Sequence, residues 1–247
     1  MNLTESSLII TGAAGNIAES LVLELSKVVN TVIALDFDKS VLTKFSSIAN
    51  VKARVLDVTS ESGIKDLFSE VEIVDKNVGL INAAGVIYNR PLVNILDTKS
   101  PVHSLEDFSK VIQLNLTGTF LMGSNFAHYC IRKRKRACII NFSSVTASGN
   151  VGQSAYSASK AGVEALSRVW AKELGMFKIR AASISPGFFD THSTANNLSE
   201  STIKTYKSNI PLKRFGQLED ILGGIRFILE NEYFTGEVLS LNGGFRI

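Results

Sequence analysis

The sequence predicts an α/β fold, a doubly wound parallel sheet of about seven strands with helices on both faces. Three observations carry that expectation. Short apolar runs alternate with longer stretches of helical apolar spacing from the first residues to the last, the pattern of strands joined by crossover helices. A glycine-rich turn joins the first apolar run to the first helical stretch. No repeat, low-complexity stretch or linker breaks the pattern, so one domain, 1–247, accounts for the chain.

The elements follow in order. A strand at 8–11 opens on Leu8-Ile9-Ile10, and apolar spacing marks a helix at 17–29. Strands at 31–36 and 51–57 flank a helix at 41–48, and a helix at 60–74 leads to a strand at 78–82. One long helix is expected at 105–132, then a strand at 137–143, a helix at 155–174, a strand at 179–184, a helix at 218–229 and a strand at 237–241. Two longer connections, 86–104 and 187–217, are rich in Asn, Ser and Thr and follow strands. Ligands of open α/β sheets sit beyond the carboxyl ends of strands, so these connections are expected to shape a substrate pocket.

Composition excludes several function classes. The 45% hydrophobic content supports a large core, while 20% charged residues and a net charge of +3 are too mild to imply nucleic acid. The run Arg132-Lys133-Arg134-Lys135-Arg136 offers a phosphate or acidic-partner patch. The plainer reading is a solvated helix end beside a strand, which favourable cations at a helix C-terminus support; no aromatics interleave with the run. Cys130 and Cys138 have neither metal-ligand nor disulfide spacing and read as reduced thiols of a cytoplasmic protein. With His103, His128 and His192 scattered, no metal site is expected. A signal-like N-terminus and an apolar stretch of membrane-spanning length are both lacking, so a soluble, intracellular protein is expected.

The turn Thr11-Gly12-Ala13-Ala14-Gly15-Asn16-Ile17-Ala18 lets backbone approach a pyrophosphate while helix N–H groups face it, as in a Rossmann-type site. A tight strand-to-helix turn with no ligand would need the same glycines. Asp36 strengthens the cofactor reading, because it closes the second strand where a carboxylate can accept hydrogen bonds from an adenosine ribose. It would repel a 2′-phosphate, and its neighbour Phe37 offers no cation. NAD is therefore expected over NADP.

Tyr156 and Lys160 stand four residues apart, which places a phenol and an ammonium on one helical face. Such pairs also arise by chance on helix surfaces. A tyrosine with a pKa of about 10 is roughly 0.1% ionised at neutral pH and is a poor base until a positive charge favours the phenolate. Lys160 is expected to be that charge, with an oxidised nicotinamide ring as a second.

Taken with Asn82-Ala83-Ala84-Gly85, Asn115 and the paired serines Ser143 and Ser144, these motifs make the chain resemble a short-chain dehydrogenase/reductase along nearly its whole length. The resemblance implies a catalytic set of Asn115, a serine, Tyr156 and Lys160. Tyr156 would exchange a proton with an alcohol or ketone, Lys160 would hold the nicotinamide ribose, and Asn115 would anchor a water connecting Lys160 to solvent. It also implies that Asn82, Ala83 and Ala84 stabilise the sheet beside the cofactor, that Asp57 and Val58 contact adenine, and that Pro186, Gly187 and Thr191 border the nicotinamide carboxamide. The chain departs from the family at Asn16 and Ala18, where glycines are usual. Sequence spacing points to Ser143 as the catalytic serine, strand register to Ser144, and register is favoured because a loop absorbs a one-residue change.

The segment 149–153 and the tail 236–247 resemble 3-oxoacyl carrier-protein reductases and 3-hydroxyacyl-CoA dehydrogenases. The former usually prefer NADP, against which Asp36 argues. The expected activity is hydride transfer between NAD(H) and a small-molecule secondary alcohol or ketone; the alternative is a non-catalytic NAD-binding sensor or scaffold. Family likeness further implies a homo-oligomer, tetramer or dimer, in which Val163, Leu166, Val169 and Trp170 serve packing unless they face their own sheet.

Overall fold

The computed structural model describes residues 1–190 and 200–247. Seven strands, β1 (Ser6–Thr11), β2 (Thr31–Asp36), β3 (Val51–Val55), β4 (Asn77–Asn82), β5 (Arg136–Phe142), β6 (Ile179–Pro186) and β7 (Val238–Leu241), form one sheet. Their order is β3-β2-β1-β4-β5-β6-β7, with every neighbouring pair parallel. The helices are α1 (Asn16–Leu25), α2 (Ser40–Lys44), α3 (Glu61–Glu70), α4 (Leu105–Ile112), α5 (Gly118–Arg132), α6 (Ser154–Leu174), α7 (Glu200–Asn209) and α8 (Leu218–Glu230).

Strand periodicity divides the core into two layers. Leu8, Ile10, Val32 and Ala34 pack on one face against Leu21 and Leu25 of α1 and Ile225 and Ile228 of α8. Their sequence neighbours Ile9, Ile33 and Leu35 point the other way, to Ile64 of α3, Met122 and Phe126 of α5 and Trp170 of α6. Burial on both faces is why the strands read as continuous apolar runs, and each fully buried Leu or Ile contributes about 1.5–3 kcal/mol.

The chain leaves β1 toward β2 on one side, while β4 lies on the other. That reversal opens a crevice beyond the carboxyl ends of β1 and β4, the place where such sheets bind ligands.

Several boundaries differ from those read in the sequence. The stretch 105–132 is not one α-helix, since a π-helical turn, Gln113–Thr117, separates α4 from α5. α3 stops at Glu70, and Lys135 Nζ takes the carbonyls of Ile73 and Asp75 beyond it, each at 2.8 Å. β3 ends at Val55, after which the Asp57 carboxylate turns the chain by accepting the Thr59 amide at 2.8 Å. α7 lies inside a stretch expected to be a connection.

The basic run takes its structural role. Arg132 ends α5, Lys135 ties down residues 73–75, and Arg136 pairs with Glu232 at 3.1 Å. Val163 and Trp170 are buried within the chain's own core, Trp170 so tightly that a Cβ on Gly123 would lie 2.4 Å from its Cη2. They are not free to pack against another copy; Leu166 is partly buried and Val169 is exposed. Cys130 and Cys138 are buried and unpaired, and burial pushes the Cys130 thiol up to about 12, which makes it inert. Among the described residues no group of His, Cys, Asp and Glu could hold a metal ion, and no helix is long and apolar enough to cross a membrane.

Candidate active site

At the carboxyl end of β1 the chain turns at Gly12 with φ +70°, a left-handed conformation that glycine adopts without strain. Space requires glycine too, because a Cβ there would lie 2.7 Å from Ala84 Cα. The Thr11 hydroxyl completes the clamp by accepting the Ala83 and Ala84 amides, each at 3.2 Å. Gly15 then opens α1 with no side chain capping the helix, which leaves first-turn N–H groups for an anion.

A cavity of about 310 Å³ lies against this turn. Gly12, Ala14 and Gly15 line one side, Asp36, Phe37 and Asp38 another, and Asp57, Val58, Ala83 and Ala84 complete it. The Asp36 carboxylate is buried and holds two amides, Ala14 N on Oδ2 and Asp38 N on Oδ1, both at 2.9 Å. A carboxylate has about four acceptor positions, so capacity remains for a ligand hydroxyl.

Not every predicted cofactor residue lines this cavity. Asn16 is exposed and Ile17 packs against the α1 side of the core. Asn82 is buried in the sheet, donating to Asn141 Oδ1 at 2.9 Å, while its own Oδ1 has no partner. Pro186 ends β6 and Gly187 follows it, its amide donating to Leu241 O at 2.8 Å. Thr191 lies outside the described residues.

α6 presents Tyr156 and Lys160 on its sheet-facing side, both buried. Lys160 Nζ is 5.7 Å from the centroid of the Tyr156 ring and donates to Phe142 O at 2.7 Å. Burial lowers the lysine pKa to about 8, so it stays mainly charged at neutral pH. Burial raises the Tyr156 phenol, and Ser144 opposes the rise. Desolvation dominates, and the unliganded phenol stays protonated at neutral pH.

Asn115 is fully buried in the π-helical turn. Its side chain grips both main-chain groups of Val86, Oδ1 accepting Val86 N at 2.8 Å and Nδ2 donating to Val86 O at 2.9 Å. Nδ2 also reaches Ser159 Oγ at 3.2 Å, which binds Tyr156 O at 2.7 Å. Gly85 lets these groups approach, since a Cβ there would stand 3.1 Å from Asn115 Oδ1 and 3.6 Å from Lys160 Nζ. Helices that widen to π geometry often do so at functional positions, and here the widening delivers Asn115 to the β4 exit.

The two serines part at the end of β5. Ser143 Oγ turns away from the phenol and donates to Glu164 Oε1 at 2.8 Å. Ser144 Oγ accepts Thr146 N at 3.2 Å and Thr146 Oγ1 at 3.0 Å, and Ser144 is the group that opposes the rise of the Tyr156 phenol.

Sequence reasoning missed Asp38, Thr11 and Thr146. Asp38 adds a second carboxylate to the cavity wall, and hydrogen bonds from Ser40, the backbone one foremost, hold its pKa below the usual range. Its signal was present as a second acid two positions past the strand-end Asp36; the two hydroxyls carried none, because their roles depend on contacts made by folding.

A family model described as enoyl-(acyl carrier protein) reductase matches residues 11–246. The 3-oxoacyl-(acyl-carrier-protein) reductase FabG of Thermotoga maritima is 36% identical over an alignment covering 100% of both chains. A 3-oxoacyl-(acyl-carrier-protein) reductase of Bos taurus is 38% identical over 77% of this chain and 76% of its own. Among solved structures, one from Agrobacterium tumefaciens named as a candidate gluconate dehydrogenase superposes with a TM-score of 0.86 at 24% identity, covering 98% of this chain and 96% of that one, a likeness of fold.

Proposed function

The chain belongs to the short-chain dehydrogenase/reductase family of oxidoreductases, and from that membership we propose that it transfers hydride between NAD(H) and a secondary alcohol or ketone, with Tyr156 as general acid and base. One observation carries the reading: Tyr156 and Lys160 meet on a buried face of α6 at the carboxyl end of the sheet, with Ser144 at the β5 exit, while the β1 and β4 exits form the glycine-lined cavity.

The residues fit a nicotinamide dinucleotide. The uncapped start of α1 suits a pyrophosphate, and Asp36 has acceptor capacity for ribose hydroxyls. NAD is favoured over NADP because Asp36 and Asp38 set two carboxylates on the cavity wall, where a 2′-phosphate would be repelled.

The bound nicotinamide would supply or accept the hydride. Tyr156, protonated at neutral pH, donates its proton to the carbonyl oxygen in reduction and recovers it in alcohol oxidation. Ser144 donates a hydrogen bond to the same oxygen as negative charge grows there. The Lys160 ammonium stabilises the phenolate left behind, and Asn115 fixes the β4 exit and the start of α6 around both. A 3-oxoacyl thioester is the substrate class to try first, since the relatives matched along the whole chain bear that activity in their names. On this reading the protein works in the cytoplasm as a homo-oligomer, with Phe120 of α5 and Val169 of α6 exposed to meet another copy.

The test is consumption of NADH and of NADPH with a panel of ketones and 3-oxoacyl thioesters. Turnover preferring NADH is expected. Tight NAD binding with no turnover across the panel would favour a sensor or scaffold.

A further inference from the structure

We propose that Thr146 is a positioning residue, one that occupies both lone pairs of the Ser144 hydroxyl and so leaves its proton for the Tyr156 oxygen in the free protein and for the substrate oxygen once substrate binds. The inference rests on the catalytic reading of Ser144 and Tyr156 above and assigns a role to a side chain that reading does not use.

A serine hydroxyl has one proton and two lone pairs. Thr146 N takes one lone pair at 3.2 Å and Thr146 Oγ1 the other at 3.0 Å. Only the proton remains to be donated outside the turn, in keeping with the influence of Ser144 that opposes the rise of the Tyr156 phenol. Hydroxyl groups in series polarise one another, so the Thr146 bond also makes the Ser144 proton a better donor. Thr146 is itself buried, which keeps water from replacing it. The Ser144–Thr146 pair opens the short 3-10 turn Val145–Ser148, so a local turn both ends β5 and aims the hydroxyl.

Other groups facing Tyr156 leave this role unfilled. On its own helix, Lys160 donates to Phe142 O. From the 86–104 connection, Tyr88 donates to Asp107 of α4 at 2.8 Å, and that carboxylate also takes the Ser104 hydroxyl at 2.7 Å. Val111 and Phe108 of α4 give the ring apolar contact alone.

Thr146→Val keeps the shape and the backbone donor but removes the hydroxyl. Reduction of acetoacetyl-coenzyme A by NADH is expected to lose about fivefold in kcat, the worth of one neutral hydrogen bond, with the KM for NADH unchanged. The phenol is expected to titrate at higher pH, read without substrate as tyrosinate absorbance of each protein minus its Tyr156→Phe counterpart. Thr146→Ser is expected to restore both. If Thr146→Val matches the parent in kcat and titration while Tyr156→Phe is inactive, this inference alone falls. The same holds if Thr146→Ser is as impaired as Thr146→Val. An active Tyr156→Phe overturns the catalytic reading and this inference with it.

Discussion

Lys160 aims its ammonium at the main-chain carbonyl of Phe142, 2.7 Å away, and so carries a charge into the wall between α6 and β5. Its pKa of about 8 lies below the ordinary 10.5, so between those values the folded chain binds fewer protons than the unfolded one. Stability from this group therefore rises as pH climbs from about 8 toward 10.5, by roughly 3 kcal/mol at most. Tyr156, raised by burial, acts oppositely above its ordinary value of 10, where stability is lost as pH rises. Denaturant unfolding across the lower part of the window should show the rise in the parent and not in Lys160→Met. Carbonyl reduction should decline through the same range, as the charge that supports the phenolate is lost.

Asp36 joins the glycine-rich turn to the end of β2 and, on the proposed reading, selects the nucleotide. Asp36→Ala removes the acceptor for Ala14 N and Asp38 N together with the charge. Charged hydrogen bonds are worth about 1.5–3 kcal/mol, so NADH affinity should fall about tenfold to a hundredfold. NADPH affinity should fall less, because a repulsion is lost with the contacts. Fluorescence titration with both nucleotides checks this, and an unchanged NADH-to-NADPH ratio would remove Asp36 from the selection.

Two glycines of one turn should separate folding from binding. Gly12→Ala places a Cβ at φ +70° and 2.7 Å from Ala84 Cα, a backbone that cannot swing aside. Backbone strain and overpacking together cost about 2–5 kcal/mol, read by chemical denaturation. Gly15 has φ −79°, which any residue adopts, and a Cβ there would meet only Gly12 O at 3.2 Å. Gly15→Ala should leave stability within about 1 kcal/mol of the parent and weaken NADH binding, because the methyl crowds the helix start where phosphate would sit.

The reach of the sequence follows from which forces act locally. Strand positions were legible because burial on both faces leaves unbroken apolar runs such as Leu8-Ile9-Ile10. Tyr156 and Lys160 were legible because helical spacing alone puts them on one face. α7 was not, since its polar residues have weak apolar spacing and Tyr206 gains its place by stacking on Phe188 at 4.6 Å, a contact made only after folding. The π-helical turn was hidden for a similar reason, as Asn115 meets the Val86 backbone, 29 residues away in the chain. The rise of the Tyr156 phenol likewise needed the burial of its ring to be known.

The paired serines give the sharpest contrast. Strand register favoured Ser144, and the side chains take different partners: Ser144 the Thr146 amide and hydroxyl, Ser143 the Glu164 carboxylate. Ser144→Ala removes a donor to the oxygen where charge develops, and loss of one such donor costs about 100-fold in kcat. Ser143→Ala removes a hydroxyl that steadies the β5 exit against α6, so its effect should be on stability, about 1 kcal/mol, with kcat lowered less than about tenfold. Steady-state kinetics and denaturation of both variants decide between them. A Ser143→Ala enzyme without turnover beside a fully active Ser144→Ala enzyme would reverse the assignment, and would require the β5 exit to rotate by one residue when substrate binds.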